Sequence, residues 1–138
     1  MHMNDILILY YSKNDSTKKM ARAIARGIES SNLASSSIRT VHSDSYKESD
    51  DILVTKEDLK KCSGMIIGSP THFGNMAAPL KAFFDSTTDE WFNNTLESKL
   101  GGVFTSTSSM HGGQETTLIS MMMPLIHHGM IIAGVPYS

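Results

Sequence analysis

A chain of 138 residues, 40% of them apolar, is one domain with room for a core, spanning 1–138. Its 12 basic and 14 acidic side chains leave a formal charge of −2, which argues against a nucleic-acid surface or a strongly acidic docking face. The longest apolar runs hold about half a dozen residues, far short of the ~20 a membrane helix needs. No basic-then-hydrophobic leader opens the chain, so no secretion signal is expected, and Met1-His2-Met3 reads as a cloning scar. A single cysteine, Cys62, excludes an internal disulfide and suits a reducing, cytoplasmic compartment. It falls late in a helical pattern and reads as a packing residue rather than a nucleophile.

Strand and helix signals alternate along the chain. Ile6 to Tyr11 is a continuous apolar run, as expected for a strand covered on both faces. Thr17 to Ser30 carries Met20, Ala21, Ile24, Ala25 and Ile28 at helical spacing. A serine-rich turn at Ser30 to Ser37 precedes a short strand, Ile38 to Val41, and residues 43–54 read as a mobile acidic loop. Thr55 and Asp58 are placed to cap a short helix running to Cys62. Then follow a strand at 65–69, a helix at 76–86 and a loop through Trp91 and Leu96. A strand at 102–106, a helix from Gln114 to His128 and a fifth strand from Met130 to Val135 complete the pattern. Five strands interleaved with helices predict a three-layer α/β domain with a parallel sheet, and the commonest small order is 2-1-3-4-5.

Ligands of such sheets sit beyond the carboxyl ends of the strands, at the switch point between strands one and three. That geometry gathers three loops: Ser12-Lys13-Asn14-Asp15-Ser16-Thr17, Pro70-Thr71-His72-Phe73-Gly74-Asn75, and Thr107-Ser108-Ser109-Met110-His111-Gly112-Gly113. The first opens a helix, whose unpartnered amides and dipole favour an anion, and Ser12, Ser16 and Thr17 add hydroxyl donors for a phosphate. The plainer reading is that Asp15, Ser16 or Thr17 is simply an N-cap. No GxxxxGK[ST] or GxGxxG pattern occurs, which points to a mononucleotide rather than a triphosphate or dinucleotide. The second loop offers an aromatic, polar groups and a glycine to a flat ligand with polar edges. The glycine pair in the third loop either makes a flexible connection or brings backbone close to a planar ring.

His127 and His128 point in different directions on a helix, and no other residue supplies ligand spacing, so no metal is expected. Either histidine serves the helix dipole or faces an active site and donates to a reduced cofactor. Met121 to Met123 read as core and interface filling, and Trp91 as core packing or as a stacking surface for a flat substrate.

The segments LYYS (Leu9 to Ser12), GSPTHFGNMAAPLKAFFD (Gly68 to Asp85), FTSTSSMHGGQETT (Phe104 to Thr117) and PLIHHGMIIAGVPYS (Pro124 to Ser138) together resemble the WrbA-type NAD(P)H:quinone oxidoreductases. That flavodoxin-like family was once named for tryptophan-repressor binding. The resemblance implies a flavodoxin-like sandwich, non-covalent FMN, NADH or NADPH as reductant, quinone as substrate and a homotetramer, with no nucleic-acid partner. It further implies that Ser12 to Thr17 hold the FMN phosphate and that Thr71, His72 and Phe73 contact the flavin. Ser106 to Gly113 border the ring, His127 approaches the flavin across a subunit boundary, and Trp91 lines the quinone pocket. The family has a glycine where this chain has Asp15 and an aromatic residue at Asn14. It continues beyond Ser138 with a glycine-rich loop and a final helix, so the C-terminal helix is expected to be missing from this chain. The alternatives are a one-electron flavodoxin-type carrier, for which a charge of −2 is weak, and a relative that no longer binds FMN.

Overall fold

The computed structural model describes residues 4–43 and 50–137. In chain order they form β1 (Asn4–Tyr10), α1 (Ser16–Ser30), β2 (Ala34–Thr40), α2 (Lys56–Lys61), β3 (Gly64–Pro70), α3 (Ala78–Asp85), α4 (Thr88–Phe92), β4 (Leu100–Ser106), α5 (Gln114–His127) and β5 (Ile131–Ile132). The strands make one parallel sheet in the order β2-β1-β3-β4-β5, as the sequence leads one to expect.

Side chains of a strand alternate between faces, and β1 divides its apolar run accordingly. Leu7, Leu9 and Tyr11 join the larger core, with Leu59 of α2, Leu80 and Phe84 of α3, and Met121 and Leu125 of α5. Ile8 and Tyr10 face the other way, against Ala21 and Ala25 of α1 and Phe104 of β4. Cys62 is buried in the larger core, and burial pushes its thiol above the ordinary value, so it stays protonated and inert. On the α1 side the sheet is only partly covered. An apolar groove of about 470 Å³ lies open there between Ile24 and Ile28 on one flank and Gly102, Phe104 and Ala133 on the other.

Several boundaries differ from those read in the sequence. Of the serine-rich segment, residues 31–33 do turn the chain after α1, but Ala34 to Ser37 form the first half of β2. It is an edge strand whose hydroxyls find carboxylates: Ser35 and Ser37 Oγ donate to Asp5 Oδ1 at 3.1 and 3.0 Å, and the Ser36 amide and hydroxyl donate to Glu29 Oε1. Trp91 lies on the short helix α4 rather than in a loop. The fifth strand pairs over two residues only, Leu100 with Ile131 and Gly101 with Ile132. The expected Thr55–Asp58 capping box is present in full. Residues 1–3, read as a scar, and 44–49 of the acidic loop lie outside the described residues. The rest of that loop is tied down, because Asp51 bonds both Tyr10 of β1 and Arg22 of α1.

Candidate functional site

The carboxyl ends of β1, β3 and β4 open into a cavity of about 210 Å³ lined by Ser12, Lys13, Asn14, Ser16, Thr17, Pro70, Thr71, His72, Ser106, Thr107 and Ser108. All three loops singled out in the sequence contribute, so the sheet order brings together residues up to 96 positions apart. Asp15 does not line the cavity. Phe73 is fully exposed at a turn tip, and Met110 and His111 stand out in solvent.

Hydroxyls and backbone set the loops in place. Thr17 Oγ1 and Ser106 Oγ are 3.0 Å apart, linking the first and third loops. The Thr71 amide donates to Ser106 O at 2.9 Å, which joins the second to β4. His72 and Asn75 exchange backbone bonds around Phe73 (φ 53°) and Gly74 (φ 74°), a primed turn with an aromatic in the left-handed region. Beneath them lie groups that the sequence did not single out. Thr117 Oγ1 donates to Gly113 O at 2.8 Å and sits 3.2 Å from Thr71 Oγ1, while Thr105 Oγ1 donates to Ser69 O. Ser69 Oγ accepts from the Ala77 amide and Ser120 Oγ from the Met76 amide, fixing the entry to α3. Buried hydroxyls on strands and helices look like neutral filler in a sequence, and no spacing rule would have found them.

The cavity suits a phosphate on two observations. The N-cap residue of α1 makes no side-chain capping bond, and a helix's first amides have no acceptor within the helix. Ser12 Oγ, just before it, is buried and has no hydrogen-bond partner among the described residues. A buried hydroxyl is normally satisfied, and an anion held against the helix N-terminus would satisfy both features.

Asp15 is the N-cap residue of α1 yet makes no capping bond with its side chain, and it holds φ 63° in the left-handed region. Glycine adopts that conformation without strain. Asp15→Gly is expected to stabilise the fold by up to ~1 kcal/mol through the backbone. Asp15→Asn, which tolerates the same dihedral, should tighten phosphate binding at the helix start by roughly fivefold through loss of like charge. Thermal melts and titration with inorganic phosphate separate the two effects. Equal affinity in wild type and Asp15→Asn would show that the carboxylate does not reach the phosphate.

A second cleft, of about 260 Å³, lies between α3, α4 and the end of α5, lined by Lys81, Phe84, Asp85, Thr87, Thr88, Trp91, Pro124, His127 and His128. It shares no residue with the first. Trp91 and His127 meet here: the indole Nε1 donates to the His127 carbonyl at 2.9 Å. The paired histidines differ. His127 is exposed, whereas His128 is buried, with Nε2 2.7 Å from Thr87 Oγ1. Gly129, at φ 77°, ends α5 in the usual left-handed cap. Among the described residues no cluster of His, Cys, Asp or Glu could hold a metal ion, and no helix is long and apolar enough to cross a membrane.

Residues 5–137 match the NADPH-dependent FMN reductase family. The chain belongs to that family. Relatives named NAD(P)H dehydrogenase (quinone) include one from Chromohalobacter salexigens, 40% identical over 149 residues, covering 99% of this chain and 73% of its own length. Another, from Paracoccus denitrificans, is 42% identical over 146 residues and covers 99% and 70%. Among solved structures, a WrbA-like flavodoxin from Agrobacterium tumefaciens superposes with a TM-score of 0.77 at 23% identity, covering 93% of this chain and 75% of its own. A flavoprotein in complex with FMN from Lactobacillus acidophilus gives 0.64 at 20% identity, covering 95% and 91%. These likenesses establish the flavodoxin-like fold of this member of the NADPH-dependent FMN reductase family.

Proposed function

We propose that this chain reduces quinones by two electrons from NADH or NADPH through non-covalently held FMN. The buried hydroxyl of Ser12, unpartnered among the described residues and beside the start of α1, is the observation that carries the reading. Ser12, Ser16, Thr17 and the first amides of α1 would hold the phosphate, with Lys13 and Asn14 at the cavity wall. Pro70, Thr71, His72, Phe73, Gly74 and Asn75 would hold the ring from one side and Ser106 to Gly113 from the other. FMN held there would supply the two-electron redox chemistry that links the nicotinamide to the quinone. The chain's own part is to hold and orient the flavin and to keep one face open for nicotinamide and quinone in turn.

His127 and Trp91 lie in the separate cleft, so within one copy they do not line the phosphate cavity. Their proposed roles, donation to the flavin and stacking on the quinone, are therefore filled toward a neighbouring copy in a homotetramer. Exposed Ile119, Met123 and Ile126 along α5 give that contact an apolar stripe. A cytoplasmic location fits the single, buried thiol.

Titration of the purified chain with FMN, followed by NADH and benzoquinone in one cuvette, tests the proposal. Flavin bleaching by NADH and recovery on quinone is the expected result. Binding without bleaching would favour the one-electron carrier, and no binding a relative that has lost the cofactor. Trp91→Ala is expected to lower quinone kcat/KM by roughly tenfold while leaving FMN affinity within about twofold. The reverse order would make Trp91 a packing residue.

A further inference from the structure

The second cleft contains a buried histidine that the proposed reaction does not use. Thr87 Oγ1 donates its single proton to Phe84 O at 2.7 Å. Toward His128 Nε2, also 2.7 Å away, it can therefore only accept, so Nε2 carries the imidazole proton. Nδ1 is then the lone-pair nitrogen, and it is buried with no partner among the described residues. The Phe84 ring lies against the imidazole, with centroids 6.4 Å apart.

This one ring joins two elements. Thr87 sits at the start of α4, and His128 caps α5 with its amide bonded to Pro124 O at 3.0 Å. The neighbouring carbonyl, of His127, accepts the Trp91 indole. The Thr87–His128 bond and the Trp91–His127 bond therefore clip both ends of α4 to the same end of α5. We propose that His128 is a positioning residue, a neutral-imidazole latch that fixes Trp91 and His127 in their shared cleft. The reading of these two residues as substrate-facing rests on the function proposed above; the latch itself does not.

A latch of this kind is sensitive to protonation. A second proton would place an N–H on Nδ1, where no acceptor waits, and burial holds the imidazole below the ordinary value of 6.5. Glu90 of α4 favours the charged ring, whereas Lys56 of α2 and His127 beside it oppose it. Lys56 is itself 3.5 Å from Glu90 and so offsets part of that attraction. Lys81 and Asp85 of α3 line the same cleft. Because the unfolded chain binds the proton more readily, this group's stabilisation is fully present above pH 6.5 and declines as the pH falls below it.

The test uses the chain's only tryptophan as its reporter. Emission of the flavin-free protein is followed against pH in wild type, His128→Gln, Thr87→Val and Thr87→Ser, with circular dichroism confirming folding. Wild type is expected to show a transition with its midpoint below 6.5. His128→Gln, which donates to Thr87 without titrating, should lose that transition and keep the emission of the closed state. Thr87→Val should show the open-state emission throughout, with quinone kcat/KM about fivefold lower and FMN affinity unchanged; Thr87→Ser should restore both. A transition that survives in His128→Gln, or a Thr87→Val emission identical to that of the closed wild type, would overturn the latch. If Thr87→Val does not fold, the His128→Gln and Thr87→Ser profiles decide alone. A latch signature in a protein whose flavin NADH cannot bleach would sink the proposed function and leave the latch standing.

Discussion

Gly113→Ala is expected to weaken FMN binding by roughly thirtyfold, about 2 kcal/mol, through backbone strain and displacement of two loops at once. Gly113 opens α5 at φ 91°, a dihedral that side chains avoid. A Cβ there would meet Gly74 Cα at 3.0 Å, and a backbone atom cannot rotate out of the way. The second and third loops would have to part, and with them the bond from the Thr117 hydroxyl to Thr71 Oγ1. Gly134, whose added Cβ would meet nothing within 4 Å, provides the control substitution. Flavin fluorescence titrations of the two variants should differ by the full effect. Equal affinities would mean that the loops do not border the flavin.

Gly68→Ala should cost about 1–3 kcal/mol of stability through overpacking. The Phe104 ring lies over Gly68 in the adjacent strand, and an added Cβ would stand 2.1 Å from Phe104 Cζ. The ring is buried, and its one escape is into the open groove on the α1 side that it already lines. Phe104→Leu shortens the side chain, so the double variant should recover part of the loss. Urea unfolding of the two singles and the double closes that cycle, and strict additivity would show that the ring does not press on position 68.

Much of this architecture was legible because burial imposes period on sequence. The run from Ile6 to Tyr11 and the spacing of Met20 to Ile28 follow from a two-faced sheet and a one-faced helix. The three cavity loops were legible because the strand order fixes which turns meet. Other features left no such trace. Ser35 to Ser37 form strand because Asp5 and Glu29 lie opposite their hydroxyls, which is a tertiary fact. Helix α4 spans five residues, too few to show a period. Thr117, Ser69 and Ser120 act through partners distant in sequence. His127 and His128 were indistinguishable as letters, and only the packing of α4 against α5 gives one to solvent and buries the other.

The brevity of β5 makes the sheet unequal from edge to edge. β1 and β3 are each paired along both sides, whereas β5 holds β4 across two residue pairs. Amide exchange should therefore be graded, slowest in β1 and β3 and fastest at Ile131 and Ile132, because paired central strands open only with the whole domain. Two of the three cavity loops spring from those slow strands. The third springs from β4, whose outer neighbour is that quickly opening edge. The protein thus anchors the first two cavity loops on its most persistent strands and the third beside a margin that can breathe.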